Sequence, residues 1–357
     1  MKVVICGGGI IGASIAYHLA LKGVKSTIIE RCALACAASG KAGGFLARDW
    51  CDHFEVGPLA RKSFDMHMTF AKDERFQHCG YRVMDAIGVT VKEGNETKCK
   101  NLPIWLNGSV IETSTLGDKT TTAQVYPDKL THAFFNIAKD LVNTELKIAN
   151  VQGIETTGSK VTGVKTSTGV VTADVIIIAM GPWSGEAMKW FNLPPVTGHR
   201  AHNVILKPSH TISAHACFVE FTGKTGSRHS PEVYPRPDGT VYLCGMSDEE
   251  ELPSNPEEVS YNPESCTILK QMIANMSSSL RDATVVTERG CYLPIPPASL
   301  PVIGSLPGTG GLYLATGHSC WGILNAPATG EAIAQLIVNG ECSVCDISPF
   351  SPARLTK

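Results

Sequence analysis

The chain has 357 residues, with 31 Lys and Arg against 33 Asp and Glu and a formal net charge of −2. That balance excludes the basic footprint of a nucleic-acid binder or a ligand of anionic membranes, and no apolar run reaches the roughly eighteen residues of a membrane span. Composition, at 43% hydrophobic and 18% charged residues, is that of a globular enzyme; at about 150 residues per domain the length predicts two domains.

The first stretch, Met1 to Arg31, sets the frame. Val3, Val4 and Ile5 are a short β-branched run, Gly7-Gly8-Gly9-Ile10-Ile11-Gly12 is a glycine turn, and Ala13 to Leu21 has a helical period. A second apolar run ends in Glu30. This is strand, turn, helix, strand and acid, the context a dinucleotide fingerprint needs. Gly7 permits the tight turn, Gly9 lets the backbone approach a pyrophosphate, and Gly12 lets helix and strand pack closely. Glu30 is placed to accept from a ribose diol and argues against NADP, whose ribose phosphate it would repel, although Arg31 softens that objection.

Residues 33–50 are rich in small side chains, with Ser39-Gly40-Lys41-Ala42-Gly43-Gly44 suited to close passage beside a flat ligand. Residues 53–80 predict one or two helices, and 81–98 predict strands of another domain. Pro127-Asp128 signals a helix to about Val142. Ala173 to Trp183 reads as one continuous apolar run, as expected of a strand buried on both faces, and ends in a Gly181-Pro182 turn. Residues 196–292 hold many strand-like segments and one helix, the pattern of an inserted domain. Last come Leu300 to Gly304, then Leu312 to Gly322, then a helix predicted to be capped by Asn325 with Pro327 in its first turn.

The 13 cysteines are an odd number in a chain that opens directly on a strand, with no room for a signal or transit peptide, so most are expected to be reduced and the protein cytoplasmic. Cys342 and Cys345 have a CxxC spacing but no second pair, so no metal site is expected. The sequons at Asn95, Asn107 and Asn275 are expected to be incidental.

GGGIIG with Glu30, ASGKAGG, VIIIAMGPWS, and above all LPVIGSLPGTGGLYLATGHSCWGILNAPATGEAIAQLI resemble the D-amino-acid oxidase superfamily of FAD-dependent oxidoreductases over nearly the whole chain. The similarity is strongest to the glycine oxidase and sarcosine oxidase branch, and to plant and fungal proteins known only as FAD-dependent oxidoreductases. It implies an α/β Rossmann-type FAD-binding domain (1–80, 140–195 and 293–357) with an inserted antiparallel-sheet α+β substrate domain (81–139 and 196–292). By resemblance, Ile10, Ile11 and Gly12 lie along the pyrophosphate, Glu30 and Arg31 around the ribose, and Ser39, Gly40 and Lys41 beside the phosphates. Gly43 and Gly44 approach the isoalloxazine, and Val151 holds the adenine. Ala179, Gly181 and Trp183 match the strand end under the ribityl chain, while Gly304, Gly317, His318, Gly322 and Ile323 wrap the flavin.

The implied reaction takes a hydride equivalent from the carbon beside an amine nitrogen, giving an imine, with O2 as acceptor and peroxide as product; a quinone or carrier protein as acceptor, or a flavin-binding regulator without turnover, are the alternatives. A nicotinamide-dependent dehydrogenase is the remaining one. The chain departs from the relatives in two places. Leu293 and Ala298 stand where amino-acid oxidases have an arginine that clamps the substrate carboxylate and an acid. Either Arg48, Arg200, Arg236 or Arg289 replaces the clamp, or the small amine substrate lacks the carboxylate. Val241 to Gly245 also lacks the oxygen-activating lysine of sarcosine oxidase relatives. His318 is catalytic or a structural loop histidine, Trp321 and Tyr292 form an aromatic wall or a core, and His199 and His202 face the ligand or do not. No cysteine is assigned a covalent flavin link.

Overall fold

The computed structural model describes residues 1–97, 99–100 and 102–356, so Lys98, the end of one expected strand region, lies outside it. Val3–Cys6 sits in the middle of a six-stranded sheet, parallel to Ser26–Glu30 on one side and to Val175–Ile178 on the other. Glu145–Ile148 and Leu312–Thr316 extend it in parallel, and Val302–Ser305 closes one edge antiparallel. All four residues of Val175–Ile178 are buried, which fits a strand covered on both faces.

The helix Ile10–Leu21 is buried almost all round because helices lie on both its flanks. One neighbour is Gly322–Asn339, to which Ser14 donates its hydroxyl at Ala326 O, 2.8 Å. The other is Pro127–Val142, which the sequence reading divided between the two domains. Its Phe135 and Ala138 belong to the same core as Ile5, Ile28 and Ile177, so this helix packs on the parallel-sheet half.

An eight-stranded sheet forms the second layer, in the order Thr284–Ile295, Thr197–Lys207, Val241–Asp248, Glu232–Pro235, His215–Thr222, Asp85–Lys92 and Val110–Gly117, with Arg228–His229 paired to His215–Thr222. Neighbours are antiparallel except His215–Thr222 and Asp85–Lys92. Period-2 alternation sorts its side chains. Val204, Val219, Val233 and Leu243 face the helices Pro263–Ala274 and Ser278–Arg281, while Ile205, Phe218, Tyr234 and Tyr242 face the parallel-sheet half. The first strand of the order runs to Ile295, so Leu293 and Pro294 belong to this sheet rather than to the segment that follows.

The last helix starts at Gly322, one turn before the Asn325 predicted to cap it, and carries Pro327 inside. A proline there has no N–H to give the carbonyl four residues back. The helix Gly57–Phe70 supplies the missing partners: His67 Nε2 bonds Ile323 O at 3.1 Å and Leu324 O at 3.2 Å, and Ser63 Oγ accepts from Ala328 N–H at 3.1 Å. Asn325, expected to cap this helix, is buried within its first turn. Among the described residues no helix is long and apolar enough to cross a membrane.

Candidate functional site

A cavity, holding about 1050 Å³ of empty space when the solvent at its opening is included, runs from the ends of the parallel strands to the start of the last helix. Its first wall is the glycine turn. Gly7 has φ +114°, where a Cβ would stand 2.3 Å from Ala179 O, and a Cβ on Gly12 would meet Gly7 O at 2.0 Å. Gly7, Gly9, Ile10 and Ile11 line the cavity, and Ile10 N–H donates to Ser39 Oγ at 2.9 Å. The first-turn amides of a helix have no intrahelical partner, which leaves the Ile11 N–H available to an anion.

At one end stand Glu30, Arg31, Ala149 and Val151. The Glu30 carboxylate is fixed by Gly8 N–H at 2.7 Å and Arg31 N–H at 2.6 Å, with lone pairs to spare for a hydroxyl pair. Arg31 bridges outward to Glu186 at 3.1 Å and to Ser254 O. Beside Glu30, Cys32 and Cys36 form a disulfide, while the other eleven cysteines, Cys342 and Cys345 among them, are free thiols. Ala179, Gly181 and Trp183 form the middle, and Gly317, His318, Gly322 and Ile323 the far end. Trp183 donates its indole N–H to Pro253 O at 2.7 Å, which draws a loop from the large sheet over the cavity, where Pro256 joins the lining.

These residues fit FAD. A carboxylate waits at the ribose end, free amides of a first helical turn lie in the middle, and the N-terminus of an 18-residue helix meets the far end, where its dipole favours the negative charge that reduction puts on a flavin. Gly12, Gly40, Lys41, Gly43, Gly44 and Gly304 sit behind the lining. Gly43 packs on the rings of Tyr234 and Tyr242, Gly44 on Val125 O, and Lys41 Nζ donates to Gly290 O at 3.2 Å. Burial, foremost, holds the Lys41 ammonium below its usual range.

His318 is 4% exposed and bonds Thr329 Oγ1 on the last helix through Nε2 at 3.1 Å. Burial pushes its imidazole down to about 4, so it is neutral and ties the loop to that helix. Trp321 is half-buried and meets Trp50 edge-to-face with ring centroids 6.3 Å apart.

The arginines considered as substitutes for the carboxylate clamp are all engaged. Arg48 forms a two-pronged ion pair with Asp65, at 2.9 and 3.2 Å. Arg200 does the same with Asp248 at 2.7 and 2.8 Å. Its strand partner is Tyr292, whose hydroxyl donates to Glu251 O at 2.7 Å. Neither Arg200 nor Tyr292 lines the cavity: the guanidinium is held by Asp248 and the phenol by Glu251 O, so both brace the loop beside it. His199 pairs with Leu293 and shares its face, whereas His202 is fully buried near Asp248, 3.5 Å away. Arg236 donates to Ala42 O at 3.1 Å, and Arg289 to Asn203 Oδ1 at 3.2 Å and Gly40 O at 3.4 Å.

Residues that sequence reasoning missed are Phe45, Trp50, Phe218, Glu232 and Tyr234, which come from three different stretches. A signal existed in Glu232-Val-Tyr-Pro235, where an acid and an aromatic ring alternate with core residues. What was not legible is that their strand lies beside Val241–Asp248.

At 30% identity over 380 residues, covering 98% of this chain and 97% of the relative, the protein is similar to a Schizosaccharomyces pombe protein whose name goes no further than oxidoreductase. It is 26% identical over 373 residues to the glycine oxidase of Pseudomonas aeruginosa, covering 99% and 98% of the two chains. Its fold is similar to that of glycine oxidase from Geobacillus kaustophilus, with a TM-score of 0.84 at 22% identity over 100% and 99% of the chains. L-proline dehydrogenase from P. horikoshii gives a TM-score of 0.80 at 19% identity over 99% and 97%. The model of the DAO family, described as FAD dependent oxidoreductase, matches residues 2–336. The chain belongs to that family of flavoproteins, and FAD is its cofactor.

Proposed function

We propose that this protein oxidises the C–N bond of a small amine to an imine and passes the electrons to O2, giving H2O2. One observation carries the reading: the flavin end of the cavity is built for placement, not for acid–base work. The ionisable side chains lining it are His318, held neutral by burial, and Cys320, whose thiol is pushed up first by burial and then by the nearby Glu232 charge. When bound, FAD supplies the two-electron oxidation, so the protein needs only to hold the carbon beside the nitrogen against the ring and keep water out. Leu293 and Pro294 give that end an apolar wall. The N-terminus of Gly322–Asn339 would favour the negative charge that a reduced flavin carries.

A second acceptor, a quinone or carrier protein, is favoured by Cys244. That residue stands on the strand where sarcosine oxidase relatives place the oxygen-activating lysine, on the face that carries Tyr242. The test is direct. Anaerobic mixing of the yellow protein with a panel of amines and amino acids is expected to bleach the flavin, and admission of air to restore it with one peroxide per turnover. Bleaching without reoxidation by air assigns the second acceptor. No bleaching with any compound overturns the reading.

A further inference from the structure

We infer that the space beyond the flavin end of the cavity selects an ammonium group, with Glu232 as its counter-charge and the rings of Phe45, Trp50, Phe218 and Trp321 as its walls. The substrate is then an amine without an α-carboxylate that arrives as its ammonium and leaves one N–H proton on the Glu232 carboxylate, so that the neutral amine is what is oxidised; the inference rests on the C–N oxidation proposed above.

Register pairs across the large sheet align Arg289, Asn203, Cys244, Glu232 and Phe218 in one row on the face turned to the parallel-sheet half. The half-buried Glu232 carboxylate accepts from the Tyr234 hydroxyl and from Cys244 Sγ, the latter at 3.2 Å. Among the described residues no Lys, Arg or His nitrogen lies within 4.0 Å of it. Both of its partners are neutral donors: burial, foremost, and then the Glu232 charge keep the Tyr234 phenol and the Cys244 thiol protonated. They hold the charge in place without cancelling it. A partly desolvated carboxylate in that condition is costly until a cation arrives.

The rings supply the second half of the receptor. Trp50 packs on Phe218 at 4.7 Å between centroids and on Phe45 at 5.1 Å, and Phe45 stacks on Tyr234 at 5.4 Å. Tyr234 is fully inside, but Phe45, Trp50, Phe218 and Trp321 are all only partly covered. Large rings left half-bare around a carboxylate are a cation receptor, since each ring face attracts positive charge.

The outer side of Glu232 has the same sign. A second cleft, which shares no lining residue with the first, lies against Glu232 and Phe218, and Glu112 and Glu220 join its lining. Among the described residues that line it there are three carboxylates and no basic side chain. Such a surface concentrates cations and repels a free carboxylate. On the other side the cavity wall is the apolar Leu293, and Arg289 stands three strands from Glu232 with its donors on Asn203 and Gly40. Arg236 and Lys41 likewise spend donors on backbone carbonyls of the 40–42 and 290 segments.

The FAD-loaded protein is mixed anaerobically with N-methylbutylamine and putrescine, and in parallel with sarcosine and glycine. Tetramethylammonium, whose quaternary nitrogen has no lone pair with which to form an imine, is titrated separately by its perturbation of the flavin spectrum. The amines are expected to bleach the flavin at least tenfold faster than the amino acids at equal concentration. Glu232→Gln is expected to weaken tetramethylammonium and amine binding at least tenfold while FAD affinity is unchanged, Glu232→Asp to recover part of it, and Trp50→Leu to weaken it again. Faster reduction by sarcosine than by N-methylbutylamine, or unchanged tetramethylammonium binding in Glu232→Gln, overturns the inference and leaves C–N oxidation standing. If neither set bleaches the flavin, C–N oxidation falls and tetramethylammonium binding alone decides the ammonium site.

Discussion

His67 stands in for the backbone amide that Pro327 lacks. Its Nε2 reaches Ile323 O and Leu324 O, at 3.1 and 3.2 Å, from a helix more than two hundred residues earlier. The ring is fully buried, and burial, foremost, pushes its imidazole down to about 4 although the two carbonyls favour its proton. His318 lies at about 4 for the same first cause. An unfolded chain has both histidines near the ordinary value of about 6.5. It therefore takes up protons first, and stability is full above that value and declines as pH falls towards 4. Melting temperature against pH is expected to show this decline, less steeply in His67→Gln. His67→Ala, which orphans both carbonyls, is expected to cost about 2 kcal/mol at pH 8 in urea denaturation.

The Trp183 indole holds the loop that carries Pro256 over the cavity. Trp183→Phe keeps the ring and removes the hydrogen bond, worth about 1 kcal/mol. A fluorescence titration of the apoprotein is expected to give FAD binding roughly fivefold weaker, with the reduction rate of the loaded enzyme little changed.

Arg200 is 6% exposed and engaged by Asp248. Removing one partner of a buried pair leaves the other uncompensated, so Arg200→Met is expected to destabilise the fold by about 3 kcal/mol. A substrate clamp would instead show itself in KM. Arg200→Met at low temperature, where it remains folded, is expected to keep the wild-type KM. The hydrogen bond from Arg200, foremost, holds the Asp248 carboxyl below its ordinary value. Its contribution is present above the unfolded value of about 4 and is lost as pH falls through the folded one, and the acid limb of the melting curve is expected to be shallower in Arg200→Met.

A methyl at Gly12 has nowhere to go, because its nearest neighbour would be Gly7 O at 2.0 Å. Gly12→Ala is expected to purify colourless and to lose at least 2 kcal/mol in stability. Recovery of a yellow protein with native FAD affinity would contradict the close approach of turn and helix.

The cofactor half was legible because its rules are local. Period, glycine spacing and a terminal acid predict Val3 to Glu30 and its place in a parallel sheet, and those strands are observed. The last helix was misplaced by one turn because Asn325 and Pro327 look like a start signal. Their actual tolerance depends on Ser63 and His67, which no local window contains. The substrate half was less legible for the same physical reason. Arg48 and Arg200 read as free cations until the fold brings Asp65 and Asp248 to them. Glu232 reads as a strand residue until Cys244, Tyr234 and Phe218 are placed around it.

One wall of the cavity holds Gly7 and the opposite end holds Ile323. During synthesis the nucleotide cradle at the glycine turn leaves the ribosome early, whereas the wall that would grip the ring emerges only after more than three hundred further residues. Cofactor capture is consequently expected to come late in the making of each molecule. Ribosome-stalled chains ending before Gly322 should carry no flavin, and cells short of riboflavin should accumulate a completed but colourless chain.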